Sequence, residues 1–326
     1  MKSLILYFSV TGNTEKIAHA ILKGISDAGS QCEIATYKEV SPKHLFQYQL
    51  IGFGCPIYGF VEPLNVRMFI SELRGVGGKH AFTFATHGTR PEFFLPSIVT
   101  RMRRKGLVVI GFYTCYADVQ IGDRRRVYPT AGHPDAIDLK EAEDFGRDVV
   151  RRSQRIHAGE VDLIPSLPSW VEYRVEKYKK DRVLREIELG VPREFAERNV
   201  FSPLQYDKGK CKYPACHRCM EACPVDGLDI TVDPPLLGKP CMNCNICIRT
   251  CPNGALTREM HFPTIPPEVS RAVFEEFYLK PLARAEAEGR FRRLVPLDQV
   301  TSGFNHLIFC LCQPAGRSHT KVCCFC

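Results

Sequence analysis

The 326-residue chain holds one tryptophan and has no unbroken apolar run of about 18 residues; the stretch from Phe304 to Cys312 is too short and contains Asn305 and His306, so no transmembrane segment is expected. The opening MKSLILYFS lacks the longer apolar region and small-residue cleavage site of a secretory signal, which makes the cytoplasm the default expectation. Cysteine is nearly missing from the first 150 residues, which hold three of the 16. Eight lie between Cys211 and Cys251, and five in the last seventeen residues. Such clustering is not a disulfide framework, and it reads as metal binding. A hydrophobic content of 44% with 25% charged residues excludes disorder over the whole length, and the length predicts two or three domains.

Through the first 150 residues short apolar runs alternate with amphipathic ones. Strands are expected at Ser3–Ser9, Glu33–Thr36, Leu50–Gly54, His80–Ala85 and Leu107–Phe112, and helices at Asn13–Ala28, Pro63–Glu72, Pro91–Arg104 and Asp138–Ile156. In the last helix Asp138 and Glu141 have the spacing of a capping box. Ile17, Ala18, Ile21, Leu22 and Ile25 fall on one face of the first. This alternation builds a parallel sheet covered on both faces, with ligands outside the carboxyl ends of its strands.

Between the first strand and helix lies SVTGNT, residues 9 to 14. It supplies the hydroxyls of Ser9, Thr11 and Thr14, the amide of Asn13, and Gly12 for a tight turn, directly before a helix N-terminus with its free N–H groups. No Lys or Arg stands in the turn. That chemistry suits a phosphomonoester, and the spacing matches neither the nucleoside-triphosphate loop nor the dinucleotide fingerprint. An ordinary Ser/Thr-rich turn has the same bare pattern.

SVTGNT resembles the phosphate loop of the flavodoxin family, Ser/Thr-x-Thr-Gly-Asn-Thr, and the resemblance covers about the first 155 residues. It implies FMN, with Ser9, Thr11, Gly12, Asn13 and Thr14 around its phosphate. GCPIYGF would flank the isoalloxazine ring through Pro56, Ile57, Tyr58 and Gly59, and ATHGTRPEF through Thr86, His87, Gly88 and Thr89. A later loop, TCYADV, would approach the same cofactor. His87 stands where acidic or aromatic groups are common in the family, and near the ring it could stabilise an anionic reduced flavin. Residues 116 to 134 are longer and more basic than a simple connection, with Arg124, Arg125 and Arg126; a solvated face and a docking surface or lid are both open readings.

Pro165, Pro168 and Pro192 bound a charged helix expected at Trp170–Leu189. Its Trp170, Tyr173 and Tyr178 fit helix packing better than an aromatic electron path. CKYPACHRCMEACP and CMNCNICIRTCP follow. Offsets of 28 residues relate Cys216 to Cys244, Cys219 to Cys247 and Cys223 to Cys251, an internal duplication. Soft thiolates this close suit iron–sulfur clusters, with structural zinc as the chemical alternative. The runs, over about residues 205 to 260, resemble the two-cluster bacterial ferredoxins, in which the fourth cysteine of each run serves the other cluster. The resemblance implies one [4Fe–4S] cluster on Cys211, Cys216, Cys219 and Cys251, and a second on Cys241, Cys244, Cys247 and Cys223. Two extra residues in the first run put the part of Cys211 in question.

The whole then resembles fused flavodoxin–ferredoxin electron-transfer proteins of anaerobic metabolism. The expected architecture is an α/β flavodoxin-like doubly wound parallel sheet over residues 1–158, a helical linker over 159–205, a small α+β two-cluster ferredoxin-like domain over 206–262, and a helical, cysteine-rich extension over 263–326. Pro266 to Glu288 is its helical part, and Cys310, Cys312, Cys323, Cys324 and Cys326 are expected as reduced thiols or a third metal site. The implied function is electron transfer between two clusters and FMN, as a component of a ferredoxin-linked oxidoreductase whose partner is a ferredoxin or a reductase. One alternative is an FMN-dependent reductase of a small acceptor, with substrate beside His87. Another is a binding or regulatory module with structural clusters, supported by Arg124 to Arg126 and by RMRRK, residues 101 to 105. Two clusters and a flavin phosphate would lower the formal charge of +8 to about +2, and that corrected charge counts against nucleic acid. A homodimer stays open.

Overall fold

The computed structural model describes residues 1–91, 93–119, 127–166, 172–196, 203–238, 240–258 and 265–300. Arg124 to Arg126, Trp170 and the cysteines of the tail lie outside them. The chain forms two compact units, Met1–Val119 with Thr130–Val171, and Gln120–Pro129 with Glu172–Cys326.

The first unit is a five-stranded parallel sheet. Its strands are β1 (Lys2–Tyr7), β2 (Gln31–Thr36), β3 (Leu50–Pro56), β4 (His80–His87) and β5 (Val108–Tyr116), in the order β2-β1-β3-β4-β5. The connecting helices are α1 (Asn13–Asp27), α2 (Leu64–Glu72) and α3 (Phe94–Arg104), and α4 (Ala136–His157) follows β5. β3 and β4 are buried almost end to end, as strands covered on both faces must be. Ile17, Ile21 and Ile25 of α1 share a core with Phe82, Phe84, Ile110, Val149 and Val150. α1 and α4 cross with their backbones almost touching. A Cβ on Gly24 would lie 1.9 Å from the Glu143 carbonyl oxygen, and one on Gly146 would lie 2.3 Å from that of Ile21. Only glycine fits either place.

The start of α4 corrects the expected cap. The helix begins at Ala136, and its box joins Asp135 to Asp138 rather than Asp138 to Glu141. Asp135 Oδ1 accepts the N–H groups of Ile137 and Asp138, while Asp138 Oδ2 accepts the N–H of Asp135.

Near the other end of α4, His80 is buried, with Nδ1 2.8 Å from the Ser153 hydroxyl and its ring 4.1 Å from that of His157. Burial first, and then the neighbouring His157, lower its pKa from 6.5 to about 4. Between those values the unfolded chain binds a proton that the fold refuses. Stability is therefore full above pH 6.5 and falls toward pH 4, by on the order of 2–3 kcal/mol for this group. We expect the fall in thermal midpoint between pH 7 and pH 4.5 to shrink in His80→Gln. An unchanged fall would remove His80 as its cause.

In the second unit α5 (Glu172–Glu188) and α6 (Arg193–Ala196) precede the cysteine segment, and after it α9 (Pro267–Phe274), a π-helical turn (Glu275–Leu279) and α10 (Lys280–Ala287) join into one helical run. Val191, Ile265, Val273 and Phe277 form one apolar cluster. Arg182 lies 4.8 Å from the Phe277 ring centre and donates to Glu186, so packing within this unit accounts for α5. The cysteine segment has the order β6 (Gln205–Tyr206), α7 (Arg218–Ala222), β7 (Leu228–Asp229), β8 (Leu236–Leu237), α8 (Ile246–Thr250) and β9 (Leu256–Thr257). β6 pairs antiparallel with β9, and β7 with β8. Helices α7 and α8 start 28 residues apart (218 and 246), as do β7 and β9 (228 and 256). The duplication in the sequence is thus a duplication in backbone form.

Candidate functional site

The carboxyl ends of β1, β3 and β4, neighbours in the sheet, carry the residues expected around the FMN phosphate and ring, and TCYADV lies at the end of β5 beside them. After β1 the chain turns through Ser9 to Gly12, and the Ser9 hydroxyl accepts the Gly12 N–H at 3.1 Å. Gly12 has φ +89°, and beyond its chain neighbours no atom of the described residues lies within 4 Å of where a Cβ would stand. It is the N-cap of α1, and being glycine it offers no side chain to the first-turn N–H groups. An open turn, a helix start without a side-chain cap and nearby hydroxyls are a donor set that fits a phosphomonoester.

Two contacts, one buried and one partly buried, hold this turn. The Thr14 hydroxyl lies 2.7 Å from that of Thr86, and the Asn13 amide donates to the Asp118 carbonyl at 2.9 Å. β4 runs two residues beyond its expected end, because its pairing with β5 continues to His87 and Tyr116. Thr86 and His87 therefore belong to the strand end rather than to a loop. His87 is buried, its ring 4.4 Å from that of Tyr116, while Gly88 and Thr89 beyond it are partly exposed. Pro56 ends β3, and the Ile57 N–H donates to the Thr86 carbonyl at 3.1 Å. Tyr58 and Val61 exchange backbone hydrogen bonds around Gly59 (φ +55°) and Phe60 (φ +74°), the signs of a type I′ turn. The Tyr58 ring stands edge-on to Phe8 at 6.3 Å.

Beneath this turn Glu62 is fully buried. Its Oε1 accepts from the Ser97 hydroxyl at 3.0 Å and from Arg101 Nε at 2.7 Å, with Arg67 Nε at 3.4 Å. Arg103 donates to the Pro165 carbonyl, and Lys105 to that of Ser71. Three of the four cations in RMRRK are thus engaged within the unit at the end of α3, where the helix dipole favours them. The same stretch is part of the sequence support for the alternative of a binding or regulatory module, and nothing in the sequence pattern marks Glu62 as its partner.

In the cysteine segment the thiols sort into two groups. Burial first, and then the neighbouring thiols of Cys244, Cys223 and Cys241, push Cys247 up to about 12. Burial likewise raises Cys244 to about 11, with Cys223 and Cys241 beside it. Cys219 is raised by burial, with Cys251 and Cys211 as its thiol neighbours. The last cysteine of each run therefore stands with the other run. Cys223, Cys241, Cys244 and Cys247 line one cavity, and Arg258 lines it with them. Crowded, buried thiols resist ionisation, and a bound cation reverses that preference. This donor set fits a thiolate-ligated metal or cluster.

Backbone N–H groups point at the sulfurs in a repeated pattern. Gly227 and Ala255 donate to Cys223 and Cys251 four residues earlier, at 3.2 and 3.3 Å. Tyr213 and Asn243 donate to Cys211 and Cys241 two residues earlier, both at 3.4 Å. Cys211, doubtful from sequence, obeys the same rule as Cys241 despite the two added residues. Cys216 sits within the first loop, its N–H bonded to the Lys212 carbonyl. The Tyr206 phenol lies beside Cys211, which helps push the phenol pKa up to about 12. Neither Tyr206 nor Arg258 was found from sequence, although lining up the two halves at 28 residues sets Arg258 against Ile230.

A flavodoxin domain model matches residues 4–92. The flavodoxin of Clostridium beijerinckii is 30% identical over 109 residues, 32% of this chain and 79% of that protein. The N-terminal part of the chain belongs to the flavodoxin family. An uncharacterised protein of Methanocaldococcus jannaschii is 29% identical over 159 residues, covering 46% of this chain and 99% of its own length. A ferredoxin of Methanothermococcus thermolithotrophicus is 38% identical over 53 residues, 16% of this chain and 88% of that protein. The flavodoxin homology suggests FMN, and the ferredoxin relatives point to iron–sulfur chemistry over a short segment.

One further grouping belongs to the flavodoxin part. His133, Asp135 and Asp138 offer ligand atoms all within 4.8 Å of one another. The His133 ring nitrogen lies 2.5 Å from Asp138 Oδ2, and both carboxylates already serve the cap of α4. Helix capping accounts for the group. Among the described residues no helix is long and apolar enough to cross a membrane.

Proposed function

We propose that the chain is a flavo-iron–sulfur electron-transfer protein, carrying FMN on its flavodoxin part and two [4Fe–4S] clusters on its duplicated cysteine segment, as a component of a ferredoxin-linked oxidoreductase. The observation that carries the reading is the crossed sorting of the thiols, Cys247 with Cys244, Cys241 and Cys223, and Cys219 with Cys211 and Cys251. Zinc pairs close on neighbouring cysteines of one loop, whereas two-cluster ferredoxins exchange their fourth ligand. In this reading residues 1–158 hold FMN, 159–205 link, 206–262 hold the clusters and 263–326 extend them. Ser9, Thr11 and Gly12 and the first turn of α1 would take the phosphate. Pro56 to Gly59 and Thr86 to Thr89 would border the ring, with His87 held against Tyr116. When bound, flavin exchanges one or two electrons and each cluster one. The protein's part is to hold them and tune their potentials.

The engagement of Arg101, Arg103 and Lys105 within their own unit favours a redox-protein partner over nucleic acid. Rapid mixing of reduced clusters with oxidised flavin in one chain tests the route. Flavin should be reduced at a rate independent of protein concentration. A rate rising linearly with concentration would mean transfer between chains and would remove the internal route.

A further inference from the structure

At one buried position the duplicated halves differ by a charge. Arg258 is 6% exposed. Its Nη1 donates to Asn243 Oδ1 at 2.8 Å and to Asn245 Oδ1 at 3.1 Å, and its Nη2 lies 3.6 Å from Cys241 Sγ. Asn243 and Asn245 flank Cys244 and have φ of +56° and +53°, so one guanidinium braces both left-handed residues of the loop. Arg258 also lines the cavity with Cys223, Cys241, Cys244 and Cys247. In the other half the residue 28 positions earlier is Ile230, equally buried and apolar. There Cys211, the counterpart of Cys241, is met by the neutral phenol of Tyr206.

We infer that Arg258 makes the two sites unequal, so that the cluster held by Cys241, Cys244, Cys247 and Cys223 is the first to accept an electron. The inference rests on the two-cluster reading above. Each cluster with its four thiolates carries about −2, and accepting one electron takes it to about −3, with no bond made or broken. A fixed positive charge stabilises the more negative form, and burial strengthens the effect by excluding water. Hydrogen bonds to the cysteine sulfurs act in the same direction, and here one donor is charged. Both halves have their backbone N–H donors, which therefore largely cancel in the comparison. Arg258 does not cancel. Tying Asn243 and Asn245 also fixes where its charge sits relative to Cys241, so the residue acts through its position as well as its sign.

The test is a reductive titration of the full chain with dithionite, followed by electron paramagnetic resonance, with iron and flavin quantified in each sample. Wild-type protein should show two one-electron cluster steps whose electron partition differs by at least about tenfold, about 59 mV for a one-electron couple. In Arg258→Gln the upper step should fall toward the lower, the lower staying in place, and Arg258→Lys should retain most of the separation. Coincident steps in wild-type protein with about eight iron atoms would overturn the inference and leave the two-cluster reading intact. So would an upper step unmoved in Arg258→Gln, or a shift confined to the lower step. Should Arg258→Gln keep only about four iron atoms, survival of the lower step alone supports the assignment, and survival of the upper step overturns it. Reconstituted wild-type protein that binds zinc, or a single cluster, overturns the underlying reading and this inference together.

Discussion

Reconstituted anaerobically, the full chain is expected to bind about eight iron atoms, and Cys247→Ser to bind about four. Cys247 is buried, with Cys244, Cys241 and Cys223 as its thiol neighbours. Removing it should cost the cluster on that set and leave the set of Cys219, Cys211 and Cys251 loaded. The sharper comparison uses the crossed cysteines. Cys251→Ser, although it lies four residues from Cys247 in sequence, should deplete the other cluster and spare the one beside Arg258. Cys223→Ser should do the reverse. Magnetic resonance tells the two losses apart if the sites differ in potential, and interaction between the clusters should vanish in every single variant. Two zinc atoms per chain, or a reproducible four iron atoms in fully loaded wild-type protein, would defeat the assignment. Twelve iron atoms would direct attention to Cys310, Cys312, Cys323, Cys324 and Cys326. Because thiols pushed up by burial must lose their protons to bind iron, loading should also release protons and weaken as pH falls.

What sequence made legible follows from where the signal is local. The βα alternation of the first unit is written in periodicity, and the phosphate turn in six consecutive residues, so both could be read without coordinates. Boundaries were less legible. β4 and β5 reach His87 and Tyr116 because each extends the other's pairing, a tertiary effect. The cap of α4 was misassigned because Asp135–Asp138 and Asp138–Glu141 both have capping-box spacing, and the actual start of the helix decides between them. β6 to β9 are two residues each, too short for any period to show. Arg258 escaped because its partners lie 13 to 17 residues back along the chain. Its meaning needs the cavity as well as the motif.

Loss of flavin affinity on changing the phosphate turn is the other large effect expected. Thr11→Ala combined with Thr14→Ala removes two hydroxyl donors from the start of α1. A hydrogen bond to a charged group contributes about 1.5–3 kcal/mol, so the pair should weaken FMN binding by roughly 10²- to 10⁴-fold. The two residues are not equivalent. Thr11 is partly exposed in the turn, so its change should act on FMN alone. Thr14 is buried and shares a 2.7 Å contact with Thr86 at the end of β4. Its removal should also loosen the link between the turn and that strand, and Thr14→Ser should restore most of both effects. Riboflavin separates phosphate binding from ring binding, since it has the ring and lacks the phosphate. Its affinity for the apoprotein should be nearly unchanged in Thr11→Ala, while that of FMN falls. Fluorescence titration of the apoprotein with FMN, riboflavin and FAD measures all three. If FMN and riboflavin weakened in parallel, Thr11 would be acting through the shape of the site rather than on the phosphate. If FAD bound wild-type protein more tightly than FMN, the turn would not be the monophosphate cradle that its open helix start and hydroxyls describe.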